Sequence, residues 1–129
     1  MSASRTSLLI RLSHEDAARV RKEAASEHRI LSGYLLFVLE RSIRSELNAA
    51  QVTQITTDVL SRRARELIGK QNKKLHTAIQ LCCTSDEAAR IRQYAARRQL
   101  SISDFVVFSL RRFWMARAHL LAWMKPNLK

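Results

Sequence analysis

The chain contains two similar copies of one segment. Residues 6–42 align with residues 77–113 at a constant offset and without a gap, and 11 of the 37 aligned pairs are identical. The longest matching run pairs Ala17-Ala18-Arg19 with Ala88-Ala89-Arg90. A repeat at a fixed offset indicates one small supersecondary unit that is built twice. The fold must therefore accommodate two similar units.

Each copy opens with a short segment whose side chains alternate in character. Alternation with a period of two predicts a strand with one face buried and one face exposed. The buried face would hold Leu8, Ile10 and Leu12 in the first copy and Ile79, Leu81 and Cys83 in the second. The outward face would hold Ser7, Leu9, Arg11, Ala78, Gln80 and Cys82.

A helix is expected directly after each strand. Ser13 and Thr84 are each followed three residues later by an acidic residue, which is the pattern of a capping box. Apolar residues then recur at helical spacing in both copies. The first helix should end near His28 in the first copy and near Gln99 in the second.

A second helix is expected to complete each copy. It would begin at Ser32-Gly33 and at Ser103-Asp104, with the serine as the N-cap. Its apolar positions would be Leu35, Leu36, Leu39 and Ile43 in the first copy and Val106, Val107, Leu110 and Trp114 in the second.

The two copies predict a fold that is mainly α with one two-stranded antiparallel β-ribbon. A lone strand leaves backbone groups unpaired, so pairing the two strands above four helices stabilises both copies. The copies would form one pseudo-twofold unit joined by an amphipathic helix. Two glycines and one proline in 129 residues agree with a mostly helical chain. The expected divisions are residues 1–47, a connector at 48–74, and residues 75–129 with an extended last helix.

This doubled pattern resembles the ribbon-helix-helix family of prokaryotic regulators, the Arc, MetJ and CopG superfamily. The resemblance covers residues 6–44 and 77–117, in a tandem single-chain arrangement similar to that of TraY. It implies that the outward ribbon face enters the major groove of DNA and reads base edges. The implied readers are Ser7, Leu9, Arg11, Ala78, Gln80 and Cys82.

The resemblance also implies phosphate contacts at the start of each second helix, where free N–H groups and the helix dipole favour an anion. Basic residues just before the second strand are placed to meet phosphates or, equally, form a solvated linker. The expected phosphate contacts are Arg5, Ser32, Gly33, Lys73, Lys74, His76, Ser103 and Asp104.

The charge balance agrees with a polyanionic partner. Lys and Arg number 23 against 11 acidic residues, a formal net charge of +12, and such a domain is drawn to nucleic acid by counterion release. Because no stretch is long and apolar enough to span a membrane, we expect a cytoplasmic protein. The resemblance to the ribbon-helix-helix family further implies a DNA-associated prokaryotic protein that acts as a transcriptional repressor or as an accessory factor at a plasmid or mobile-element site.

Two segments outside the repeat leave alternatives open. Residues 48–69 carry a helical apolar stripe, which either packs on the core of the chain or docks another copy or a partner protein. The last helix continues through large apolar residues to Met124 before Pro126, which favours core packing plus a homo-oligomer contact over a membrane surface. The alternative function is that of an antitoxin-like protein that binds a polypeptide through these extra helices.

The sequence contains no motif that is typical of a catalytic, cofactor or metal site. No phosphate loop, nucleophile elbow or convergent pair of acids occurs, so we expect no enzyme activity and no cofactor. Cys82 and Cys83 would point to opposite faces of a strand, which argues for reduced thiols rather than a disulfide or a shared metal. The histidines are too far apart in sequence for a ligand cluster: His14, His28, His76 and His119.

Overall fold

The computed structural model describes residues 4–53, 62, 65–68 and 76–124, with side chains described to residue 45 in the second helix and to residue 120 in the last. In chain order the elements are β1 (Arg5–Ser13), α1 (His14–Ser26), α2 (Leu31–Thr53), β2 (His76–Thr84), α3 (Ser85–Arg97) and α4 (Ile102–Met124). The described residues are thus mostly helical with one two-stranded antiparallel sheet. This confirms the mainly α fold with a β-ribbon.

The ribbon has the two faces that the alternation predicts. β1 and β2 pair antiparallel over their whole lengths, with Leu9 opposite Gln80 at the centre. Ile10 is fully buried, whereas its neighbour Leu9 is 54% exposed. Cys82 is exposed and Cys83 is buried, and burial raises the pKa of the Cys83 thiol. Every residue predicted for the inner face is buried, namely Leu8, Ile10, Leu12, Ile79, Leu81 and Cys83.

The four helices cover the inner face of the ribbon. α2 packs against β2, α4 packs against β1, and α2 and α4 pack against each other. At their contact the Trp114 indole N–H donates to the Tyr34 hydroxyl at 2.9 Å, and the Ser109 hydroxyl donates to Ser42 at 3.0 Å. All four side chains are buried. Burial raises the pKa of Tyr34, and the hydrogen bond from Trp114 opposes this rise only in part.

Ion pairs join the helices at positions outside the strands. Arg117 of α4 donates to both carboxylate oxygens of Glu23 in α1 at 2.8 and 2.7 Å. These hydrogen bonds lower the pKa of Glu23, and burial opposes them only in part. Arg90 of α3 bonds both oxygens of Glu40 in α2 at 2.8 and 3.0 Å. Glu23 and Glu40 are therefore both paired with arginines of neighbouring helices.

The helices that follow the strands are capped as expected, although unequally. At α3 the box is complete, because Thr84 Oγ1 accepts from the Glu87 N–H at 3.1 Å and Glu87 accepts from the Thr84 N–H at 2.9 Å. At α1 only half of it forms, in which Ser13 accepts from the Asp16 N–H at 3.1 Å. The Asp16 carboxylate instead accepts from Arg111 at 3.1 Å. A tertiary ion pair thus replaces the second cap contact.

The second helices begin earlier than predicted. α2 starts at Leu31 and α4 at Ile102, so Ser32 and Ser103 lie in the first turn and their assignment as N-caps is wrong. Ser101 caps α4 instead, accepting at 3.1 Å from the backbone N–H three residues on. Leu31 and Ile102 are partly buried against the core. Burial of these side chains accounts for the earlier start.

Two residues beyond the end of α1 and of α3, the backbone passes through a left-handed residue that is not glycine. His28 and Gln99 each have φ of 57°, at the limits that the sequence predicts. The His28 N–H donates to the Ala25 carbonyl at 3.1 Å, and the next N–H donates to the Ala24 carbonyl at 2.9 Å. The N–H groups of Gln99 and of the residue after it make the equivalent pair of bonds at the end of α3. This is a Schellman termination, in which glycine is the usual residue.

Replacing either left-handed residue by glycine should stabilise the protein. Relief of the Cβ clash at positive φ exceeds the entropy that glycine adds to the unfolded chain, so His28→Gly and Gln99→Gly should each raise the free energy of unfolding by about 0.5–1 kcal/mol. Urea denaturation followed by circular dichroism measures the change. Ala25→Gly, in the last helical turn, is the control and should destabilise by about as much. Loss of stability in all three variants would contradict the assigned backbone geometry.

The end of the connector lies on the core. Ile68 is buried and Leu67 packs beside it, and the Arg111 guanidinium donates to the carbonyl oxygens of both residues. At these two positions the connector packs on its own chain, the first of the two alternatives. The other residues of the predicted apolar stripe in the connector are Val52, which lies in α2, and Ile55, Val59, Leu60 and Ala64, which lie outside the described residues. α2 continues to Thr53, beyond the expected division at residue 47.

Candidate nucleic-acid interface

The outward face of the ribbon brings the six implied base readers together. Strand pairing sets them in three cross-strand pairs along one exposed surface. All six side chains are exposed to solvent. The pairs are Ser7 with Cys82, Leu9 with Gln80, and Arg11 with Ala78.

Two arginines of β1 contribute positive charge at this surface. Arg5 and Arg11 are exposed, and neither has an acidic partner within 4.0 Å in the described part of the chain. Several helix arginines differ in this respect, since Arg90, Arg111 and Arg117 are held by carboxylates. The charges of Arg5 and Arg11 are therefore not neutralised by an ion pair with the described residues.

Serines at the start of the second helices bind the outer edges of the ribbon. The Arg11 N–H donates to Ser103 Oγ at 2.9 Å, and the Cys82 N–H donates to Ser32 Oγ at 3.0 Å. These bonds satisfy N–H groups that an edge strand leaves unpaired. Each serine keeps its own O–H donor, because a hydroxyl accepts and donates at once. The N-terminus of α4 therefore lies beside β1, and that of α2 lies beside β2.

Sequence reasoning did not find this role for the two serines. Ser32 and Ser103 occupy the same position of the repeat and are identical in an otherwise variable stretch. That identity was a usable signal of a shared structural role. Ser103 lies 92 residues from Arg11 along the chain, and Ser32 lies 50 residues from Cys82. Local patterns therefore gave no indication of these contacts.

The two helix N-termini beside the ribbon are chemically unequal. α4 has a capping serine, Ser101, and an acid in its first turn, Asp104. α2 has the exposed Ile30 before its first residue and has no acid in its first turn. Gly33 stands where α4 carries Asp104. A carboxylate at a helix N-terminus stabilises the helix and opposes a second anion there, so the α2 end is the better site for a phosphate.

The two ends of the ribbon carry further implied phosphate contacts. His76 is partly exposed and lies opposite Ser13, but its Nε2 atom is buried and has no hydrogen-bond partner among the described residues. Nearby, His14 Nδ1 lies 2.6 Å from the Thr77 hydroxyl. Arg5 lies at the opposite end of the ribbon. These residues therefore flank the outward face, and their contact with phosphate stays a prediction.

Part of the expected site lies beyond the reach of the structure. Lys73 and Lys74 fall outside the described residues. Over the described ranges, no group of three His, Cys, Asp or Glu side chains is placed to hold a metal ion. None of the described helices has the length and apolar character needed to cross a membrane.

Comparison with known proteins gave no relative. No family model, no curated protein and no solved structure matches this chain. Any assignment of function therefore depends on the residues of the ribbon and on the helix ends that flank it.

Proposed function

We propose that this chain is a single-chain ribbon-helix-helix protein that inserts its β-ribbon into the major groove of DNA. It acts as a transcriptional repressor or as an accessory factor at a plasmid or mobile-element site. The observation that carries the proposal is the exposed outward face of the ribbon, to which each copy of the repeat contributes three side chains. A two-stranded ribbon fits the major groove, which is about 12 Å wide.

The element bounds support a tandem arrangement. β1 and β2 span positions that differ by the offset of the repeat, 71 residues, as do α1 and α3, and α2 and α4 begin at positions with the same offset. The repeat also aligns Leu9 with Gln80, and these two residues face each other at the centre of the ribbon. A pseudo-twofold axis between them exchanges the Arg11 contact to Ser103 with the Cys82 contact to Ser32.

The charges beside the ribbon support a polyanionic ligand. Two helix N-termini flank its edges, and backbone N–H groups at such ends bind phosphate. Arg5 and Arg11 add full positive charges without acidic neighbours in the described ranges. A duplex whose groove receives the ribbon would present its phosphates along both edges. The net charge of +12 adds a sequence-independent attraction.

The direct test is DNA binding by the full chain. Fluorescence anisotropy with a random duplex and with duplexes selected from a random pool should show binding to both at about 50 mM salt, with the selected duplex tighter, as in specific protein–DNA complexes generally. Absence of binding to every duplex at low salt would refute the proposal.

Arg11→Ala should relax preference at one base position. Loss of a bidentate contact costs about 1–3 kcal/mol on the preferred base and little on the others. Lys73→Ala is the matched charge removal and should weaken all sequences alike. A panel of duplexes varied at single positions measures both effects. Equal losses on every sequence from both variants would refute the separate roles of the two residues.

A second candidate function is that of an antitoxin-like protein with a polypeptide partner. It is favoured by a groove of about 450 Å³ between α2 and α4, to which neither strand contributes. Phe37, Phe113 and Leu120 give the groove apolar surface, and Arg41 and Arg112 give it positive charge. A pull-down with the product of the neighbouring gene should recover a complex that Leu120→Asp weakens. Sedimentation of the free protein distinguishes this partner from a second copy of the chain.

A further inference from the structure

We infer that the protein binds a non-palindromic DNA element in one orientation, with base-specific hydrogen bonds concentrated in one half of the contact. This inference rests on the proposed function and adds the class of DNA site. The central Leu9–Gln80 pair divides the outward face of the ribbon into two halves. We call the half with Arg11 and Ala78 the reading half and the half with Ser7 and Cys82 the anchoring half.

Arg11 in the reading half and Gln80 in the central pair are the two side chains that recognise bases by paired hydrogen bonds. Arginine bonds guanine through O6 and N7, and glutamine bonds adenine through N6 and N7. Arg11 lies opposite Ala78, so Gln80 is its diagonal neighbour across the strands. Diagonal neighbours stand about 7–8 Å apart, and bases along a strand rise by about 3.4 Å. The guanine and the adenine should therefore lie within about two base steps of each other.

The anchoring half offers weaker discrimination. The pseudo-twofold counterpart of Arg11 is Cys82, and the counterpart of Gln80 is Leu9. A thiol is a weak donor, and leucine offers only apolar contact to a thymine methyl. Ser7 bonds several bases without strong preference. A palindromic site would repeat the guanine where Cys82 lies and would gain no bidentate contact there.

The N-termini of the flanking helices add to the difference between the two halves. Ser103 binds the backbone beside Arg11, so the α4 N-terminus with Asp104 borders the reading half. Ser32 binds the backbone beside Cys82, so the α2 N-terminus with Gly33 borders the anchoring half. The Asp104 carboxylate disfavours a phosphate at the reading half. Contacts to bases therefore predominate in the reading half, and contacts to DNA phosphates predominate in the anchoring half.

A reagent beside the ribbon gives a direct readout of orientation. Ile30 is 78% exposed directly before α2, which borders the anchoring half, and it is not one of the base readers. Cys83 is buried, so a thiol-reactive iron–EDTA reagent should label the Ile30→Cys, Cys82→Ser full chain at position 30. Bound to a duplex selected from a random pool, the labelled protein should cleave on one side of a non-palindromic site, away from the specified guanine.

Base substitutions complete the test. Replacing the guanine should weaken binding by about 5- to 140-fold, the equivalent of 1–3 kcal/mol for a bidentate pair, and Arg11→Ala should remove that penalty. Replacing the base at the mirror-related position should change binding by less than about threefold, because no bidentate contact is lost there. A palindromic selected site, or equal cleavage on both sides, would overturn the inference while leaving DNA binding intact. Failure to bind any duplex at low salt would instead refute the proposed function.

Discussion

Ile10→Ala is expected to lower the free energy of unfolding by about 2–5 kcal/mol. Ile10 is fully buried in the centre of β1, where the ribbon lies on the helices, so truncation leaves a cavity as well as losing apolar burial. Domains of this size are stable by about 5–15 kcal/mol in total. The variant should therefore show a much lower urea midpoint by circular dichroism.

The neighbouring residue provides the matched control. Leu9 is 54% exposed on the outward face, so Leu9→Ala should change stability by no more than about 0.5 kcal/mol. A shift of one residue in the strand register would exchange the two faces. If Leu9→Ala were the destabilising change and Ile10→Ala the neutral one, the outward face described above would be the buried one.

The faces of the ribbon were predictable because they follow from a local period. In a strand, successive side chains point to opposite sides, so once Leu8 and Ile10 are assigned to the core, Leu9 and Arg11 must face outward. The repeat strengthened this prediction, since the same alternation occurs in the second copy. The limits of α1 and α3 were equally local, because Ser13 and Thr84 cap the helices that follow them.

The starts of α2 and α4 were not predictable in the same way. Two serines near the start of α4, Ser101 and Ser103, both suit an N-cap, and local preference does not choose between them. The choice depends on tertiary contacts. Ile102 packs on the core and Ser103 binds the N–H of Arg11. A helix boundary set by a strand far away in sequence has no local signature.

Differences between equivalent positions also escape a repeat-based prediction. Glu40 and Arg111 occupy the same place in the two copies of the repeat. Glu40 binds Arg90, whereas Arg111 binds Asp16 and the carbonyl oxygens at the end of the connector. The repeat predicts a similar backbone at such positions. Because Glu40 and Arg111 carry opposite charges, the second copy holds the connector through Arg111 and the first copy cannot do so through Glu40.

Salt should strongly weaken DNA binding if the implied phosphate contacts are made. Arg5, Lys73 and Lys74 are the three fully charged basic residues among them, and each neutralised phosphate contributes about −0.9 to the slope of log affinity against log salt. Three contacts predict a loss of about 40-fold between 50 and 200 mM salt. Anisotropy titrations at four salt concentrations, on selected and on random duplexes, give the slope for each.

Two arginine variants distinguish ribbon contacts from the effect of net charge. Arg5→Ala should reduce the magnitude of the slope by about one. Arg44→Ala removes the same charge from α2, where Arg44 is exposed and pairs only loosely with Glu40 at 3.5 Å. Arg44 lies about 18 Å along the helix from Ser32, which exceeds the Debye length of about 10 Å at 0.1 M salt. Its slope should stay that of the unaltered protein, and equal reductions in both variants would mean that DNA is held by the overall charge and not at the ribbon.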